Sequence, residues 1–177
     1  STKKPVDKGA ARHTAIVDNP PESNVVPLKK PEVDFGIPPE YSEDSLAEAF
    51  SKKYQNSMIY VKSWGNWLEW RDNRWQDDET GSALHCSRQI CKKHAEEVQK
   101  RVDLGTKANK IATLISTRKM FANVAGIAQT DPRHASVPAQ FDADPWILNT
   151  PEGVIDLKSG ELRQARRDDY SHKTTVA

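Results

Sequence analysis

The stretch YVKSWGNWLEWRDNRW, residues 60–75, holds four of the five tryptophans in the 177-residue chain. An indole buries a large apolar area and also offers a flat π-face, so such a cluster suits either the interior of a small sheet or a platform for nucleic-acid bases. The pattern around it favours a sheet. MIYV (58–61) is β-branched and aromatic, Gly65 interrupts it, and NWLEW resumes with alternation before the polar RDNR. With Asp72 and Asn73 as the central turn residues, Arg71 opposes Arg74 and Trp70 opposes Trp75, which sets two indoles side by side on the face that carries Leu68. Cross-strand aromatic pairs add about 0.5–1 kcal/mol beyond burial, so this register has a physical cause. Trp67 points the other way with Glu69, and its use stays open between packing and stacking.

Upstream, Ser42 opens a helix signal with Glu43 and Asp44 early, where the helix dipole favours carboxylates; Ser45 and Glu48 are spaced as an alternative capping box. Leu46, Phe50 and Tyr54 form one stripe, which predicts a helix over 44–54. Downstream, Leu84, Cys91, Ala95, Val98 and Val102 share a narrow sector of a helix over 83–102, with Lys93 and Lys100 on its far side. A second helical region over 107–129 carries Ile111, Leu114, Ile115, Phe121, Ala122 and Ala125. One unbroken helix would place Arg118 inside that stripe, so a break near Ser116, with Ser116 as a new N-cap, is expected. WILN, VIDL and LR, separated by turns at TPEG and KSGE, predict a three-strand meander after residue 145. The fold class is therefore α+β: a helical middle flanked by a Trp-rich β-hairpin and a C-terminal β-meander. Residues 1–40 are proline-rich and aperiodic and are expected to be a poorly ordered linker, with short apolar pieces around Val25 and Phe35 able to lie on the domain; residues 41–177 form the domain.

Mean hydropathy is -0.77, charged residues make up 29% of the chain, and no apolar run reaches the roughly 18 residues that cross a bilayer. No secretory leader opens the chain, so a reducing cytoplasm is the expected compartment and no membrane partner is expected. The net charge of +1 hides an uneven distribution, because residues 82–130 carry nine Lys/Arg against three acids. Those nine, Arg88, Lys92, Lys93, Lys100, Arg101, Lys107, Lys110, Arg118 and Lys119, are the candidate nucleic-acid contacts; the alternative is a solvated helix face.

Other constellations carry less. His85, Cys86, Cys91 and His94 invite a zinc site, but Cys86 and Cys91 diverge by roughly 140° on a helix and only Cys91 and His94 could share a metal. Asp142 and Asp144 resemble paired metal-binding carboxylates, with Asp156 as a possible third. Asp144 precedes Pro145, however, and a short carboxylate there suits the capping of turn amides. The chain holds no G-x-x-x-x-G-K-[ST], no G-x-S-x-G and no H-E-x-x-H. No catalytic residue, metal or cofactor is expected.

From Phe141 onward, FDADPWILNTPEGVIDLKSGELR and RRDDYSHKTT resemble the end of the accessory domain that precedes the superfamily-three helicase in phage- and plasmid-borne primase-helicases of the poxvirus-related type. The matching positions are Phe141, Asp142, Pro145, Leu148, Asn149, Gly153, Asp156, Leu157, Gly160, Asp169 and Tyr170. YSEDSLAEAF and the tryptophan stretch resemble that domain's beginning, so the likeness covers residues 41–177. The resemblance implies a non-catalytic, DNA-binding or ring-supporting domain in DNA replication, beside an ATP-driven helicase and a primase. Its partners would be DNA, bound without sequence preference, and those adjoining domains, with oligomers formed only when the helicase is present. The alternatives are a protein-interaction module that does not bind DNA, and an enzyme resting on Asp142 and Asp144.

Overall fold

The computed structural model describes residues 39–175, with Thr2 alone before them. The linker read over residues 1–40 falls outside the described residues apart from Thr2, Pro39 and Glu40, and so do the apolar pieces around Val25 and Phe35. The fold is α+β, with four α-helices and two sheets among the described residues.

Strands β1 (Met58–Val61), β2 (Asn66–Arg71) and β3 (Arg74–Asp77) are antiparallel neighbours, and Trp70 pairs with Trp75 and Arg71 with Arg74. Asp72 and Asn73 sit at φ 47° and 61°, the left-handed pair whose twist matches a two-residue hairpin. A two-residue strand, β4 (Ala135–Ser136), adds parallel to β1 and completes the first sheet. Nothing in the sequence announces it, since two residues carry no period.

Helix α1 (Glu43–Tyr54) is capped by Ser42, whose hydroxyl accepts the Ser45 amide at 3.2 Å; of its stripe Leu46 and Phe50 are buried and Tyr54 is half-buried, with Ala47 buried beside them. Helix α2 (Ser82–Gln99) ends earlier than its apolar sector suggested. Val102 lies in a short 3-10 turn and is 93% exposed, and Leu84 is also exposed. The sector α2 buries is Ala83, Ser87, Ile90, Cys91, Ala95 and Val98, because α1, α3 and α4 all pack against it. Ser87 is tolerated there since its hydroxyl lies 2.9 Å from the carbonyls of Leu84 and Phe121. The cap of α2 comes from outside the helix, where the Asp78 carboxylate accepts the amides of Ser82 and Ala83 at 2.8 and 2.9 Å. Partial burial pushes that carboxyl up, but the amides of Ala83, Ser82 and Thr80 outweigh it and hold it below the usual carboxylate range.

The expected break separates α3 (Lys107–Ile115) from α4 (Arg118–Ala128). The cap is Thr117 and not Ser116. Thr117 has an extended backbone that lets its hydroxyl accept the Met120 amide at 3.2 Å, while Ser116 still closes α3 through its own amide. Met120, Val124, Ala125 and Ala128 form the buried face of α4, whereas Ala122 of α4 and Leu114 of α3, both assigned to the apolar set, are exposed.

Alternation along β1 divides the core into two layers. Met58, Tyr60 and Trp67 join the helical side with Leu46, Phe50, Ile90, Val98, Ile111 and Val124. Ile59, Val61, Leu68, Trp75 and Phe141 form the other side, with Trp70 and Tyr170 packed on them. Trp67 is thereby accounted for as packing, with the rings of Tyr60, His134 and Phe50 at 5.3, 5.3 and 5.8 Å. The meander forms as read, as β5 (Ile147–Thr150), β6 (Gly153–Asp156) and β7 (Leu162–Arg163), all antiparallel. The segment after it returns to both sheets, since the Trp75 amide donates to Ser171 and the Thr175 amide to Asn149 at 2.8 and 3.0 Å.

His134 ties the parallel pair together. It is fully buried, its Nδ1–H donates to the Met58 carbonyl at 2.8 Å, and its own carbonyl accepts the Tyr60 amide at 2.7 Å. Burial pushes this imidazole below its ordinary range, against the opposing pull of the Met58 carbonyl and Asp131. Below the ordinary histidine pKa of about 6.5 the unfolded chain therefore binds the extra proton and the folded chain does not. Stability is complete above that pH and falls as pH descends through it. Urea midpoints are expected to be lower at about pH 5.5 than at about pH 7.5, and the difference to shrink in His134→Asn, whose amide can still donate to Met58. An unchanged pH difference in the variant would reject this assignment.

Among the described residues no helix is long and apolar enough to cross a membrane.

Candidate nucleic-acid interface

Eight of the nine candidate cations are exposed, and Arg101 is half-buried. Arg101 is committed within the protein: it donates to Glu40 at 2.7 Å, to Asp103 at 3.1 Å and to the Tyr41 hydroxyl at 3.4 Å. These hydrogen bonds, Asp103 foremost, raise its pKa further. Lys93 makes a loose pair with Glu97 at 3.7 Å. The α2 cations divide between two flanks of the helix, because residues four or seven apart share a face: Arg88 stands with Lys92, and Lys93 with Lys100.

The Arg88–Lys92 flank borders a groove of about 490 Å³, to which α2 contributes Lys92, Ala95, Glu96 and Gln99, and the α3–α4 junction contributes Ser116 and Thr117. Arg118 follows Thr117 directly and stands three residues before Phe121, whose carbonyl meets Ser87 of α2. Of the three, Lys92 lines the groove, while Arg88 and Arg118 are exposed and adjoin in sequence Ser87, which meets Phe121 of α4, and Thr117, which lines the groove. Lys119 is on the next face of α4, and Lys107 and Lys110 are exposed along α3. Glu96 is the one acid that lines the groove.

The four residues of the zinc reading do not converge. Cys91 is fully buried in the helical core, and burial pushes its thiol up to about 12. His94 hydrogen-bonds the Ile90 carbonyl through Nδ1 at 2.9 Å and sets its ring edge-on to Tyr41. Cys86 is half-buried beside Tyr54, whose phenol burial raises to about 12, and His85 lies 3.2 Å from Gln89. Among the described residues no three His, Cys, Asp or Glu are arranged to hold a metal ion.

The DAD carboxylates serve the backbone. Asp142, at φ 49°, accepts the amides of His172 and Lys173 at 2.9 and 3.3 Å. Asp144 accepts the Trp146 amide at 2.9 Å, and Asp156 that of Lys158 at 2.8 Å. Asp144 and Asp156 are turn acceptors, whereas Asp142, read from sequence as turn-forming, instead pins the C-terminal segment through amides 30 and 31 residues away. Asp169, beside Asp142 and Asp144 in a cavity of about 220 Å³, is held by the Arg163 guanidinium at 2.6 and 2.8 Å.

Two features escaped sequence reasoning: the buried His134, and a second cavity walled by Trp64, Phe141 and His172. Trp64 alone carried a signal, since it precedes Gly65 in the turn between strands and so lies outside the packed alternation.

No curated protein matches the chain in sequence. A family model described as D5 N terminal like matches residues 47–176, which run from within α1 through all four helices and both sheets. This chain belongs to the D5 N-terminal-like family.

Proposed function

We propose that the chain is a non-catalytic accessory domain of a phage or plasmid primase-helicase, engaging DNA through its phosphates. The family membership supports the replication context. The observation that carries the binding reading is the groove in which Lys92 faces the α3–α4 junction with Glu96 as the single lining acid, and the exposed Arg88 and Arg118, next in sequence to Ser87 and Thr117, extend its positive charge. Arg118 opens α4, so the positive end of the helix dipole adds to its charge. Phosphate contacts of this kind set position and register and carry no base information.

Fluorescence anisotropy with the 177-residue chain tests it. The charge-reversed triple variant Arg88→Glu, Lys92→Glu, Arg118→Glu is expected to bind a labelled oligonucleotide at least about tenfold more weakly, and the slope of log K against log salt to fall by about 2. Wild-type affinity that is absent at low salt, or indifferent to the triple variant, would overturn the reading.

A second reading, a protein-interaction module beside the helicase, draws support from the second sheet. Leu148, Ile155 and Leu162 are paired across its strands, Trp146 and Leu157 extend the same row, and Trp146 and Leu162 are 50% and 55% exposed. Light scattering of the longer protein separates the two readings: loss of hexamers on deleting this domain, with DNA affinity intact, favours the second.

A further inference from the structure

Trp64 differs from the other tryptophans of the first sheet. It sits in the turn between β1 and β2, fixed by hydrogen bonds from its own amide and that of Gly65 to the Val61 carbonyl at 3.1 and 2.9 Å, and its side chain is 40% exposed. Its ring lies 5.1 Å from Phe141 and 5.5 Å from His172. The three rings wall a cavity of about 360 Å³ that Pro138 also lines. This is within the roughly 300–1,000 Å³ range of clefts that hold small organic groups.

The remaining lining is polar. Asn66, exposed at the start of β2, brings an amide with both donor and acceptor; Asp77 brings a carboxylate, and Lys173 an ammonium. Asp142 also borders the cavity, but its Oδ1 is engaged by the amides of His172 and Lys173 and so secures the wall. A neighbouring groove shares Asp77 and His172 and contains Arg71 and Arg74. Arg74 reaches across to the His172 carbonyl at 3.4 Å, while Arg71 is paired with Glu69 at 3.3 Å.

We propose that Trp64, Phe141 and His172 form a stacking pocket for one unpaired base of a single-stranded nucleic acid. A base has a flat π-face for the indole and edge donors and acceptors for Asn66 and Asp77. Its 5′ and 3′ phosphates fall to Lys173 and Arg74. An apolar protein side chain would leave that amide and carboxylate unanswered. A base within a duplex cannot enter, because its faces are already stacked. The pocket rests on the nucleic-acid reading above but occupies a different surface, since Phe141 belongs to the core layer on the side of the sheet away from the helices.

The test compares two labelled oligonucleotides of equal length, oligo-dT and an abasic strand, against the full chain. Trp64→Ala is expected to weaken oligo-dT binding roughly tenfold, leave abasic binding and the salt slope unchanged, and leave the thermal midpoint close to wild type, with Trp64→Tyr restoring most of the loss. Equal affinity of Trp64→Ala and wild type for oligo-dT would overturn the pocket, as would an equal loss on both strands. If Trp64→Ala retains binding while the Arg88, Lys92, Arg118 reversal abolishes it, the pocket fails and the phosphate reading stands. If the reversal is silent and Trp64→Ala is not, the pocket stands and the helix-junction reading fails.

Discussion

Trp75→Ala is expected to destabilise the domain by about 3–5 kcal/mol, the range for removing a large buried aromatic side chain. Trp75 is 2% exposed and stands at the centre of the layer formed by Ile59, Val61, Leu68 and Phe141. It does more than fill space. The indole N–H donates to the Arg167 carbonyl at 2.9 Å, the backbone amide donates to Ser171 at 2.8 Å, and its ring meets Trp70 edge-on at 5.4 Å. Truncation therefore empties the layer and removes the indole's attachment of the C-terminal segment to the first sheet. For a domain of this size the midpoint should drop by roughly 10 °C in a thermal melt. Trp75→Phe, which keeps a ring and loses the indole N–H, should cost less, about 1–3 kcal/mol. A loss below about 1 kcal/mol for Trp75→Ala would show that this layer does not depend on the hairpin's second indole.

Gly153→Ala is expected to cost about 3 kcal/mol, through backbone and not through lost packing. A Cβ there would lie 2.4 Å from the Arg163 carbonyl oxygen and 3.3 Å from its carbon, at a φ of +148°. Backbone atoms cannot step aside as a flexible side chain can, so β7 must move. That movement takes the Val154–Arg163 pairing with it, and with it the forked Arg163–Asp169 ion pair that holds the turn at residues 167–169. Gly160 supplies the control. It also has positive φ, at +77°, but a Cβ there meets nothing, so Gly160→Ala should cost only about 1–2 kcal/mol for the left-handed conformation. Urea denaturation of the two variants reads the difference, and equal losses would refute the clash.

What was legible in the sequence is what neighbouring residues enforce on one another. The hairpin register follows from two turn residues that accept positive φ and from two indoles placed symmetrically around them. The break between α3 and α4 follows from the cost of an arginine inside an apolar stripe. The meander follows from Pro151, Gly153 and Gly160, each at a position where the chain must reverse. The turn role of Asp144 was equally readable, because a short carboxylate beside a reversal has amides within reach; Asp142 departs from that reading, since the amides it accepts belong to His172 and Lys173.

Tertiary structure decided the rest. The two-residue strand Ala135–Ser136 exists only because β1 offers it an edge and His134 reaches the Met58 carbonyl, 76 positions away. Which face of α2 is buried depends on three helices packing against it at once, so Leu84 and Val102 fell outside a sector that periodicity alone had assigned to them. The cap of α4 fell to Thr117 and not Ser116 through backbone conformation, and that of α2 to Asp78 because its carboxylate reaches amides four and five residues on. The same distinction governs the functional surfaces. Composition located a basic block and the helical period split Arg88 and Lys92 from Lys93 and Lys100, whereas packing set Lys92 against the α3–α4 junction and enclosed Arg101 among Glu40, Asp103 and Tyr41. Sequence determines the elements because their causes lie within a few residues. Only the fold determines which side chains share a surface, because that depends on contacts between residues far apart along the chain.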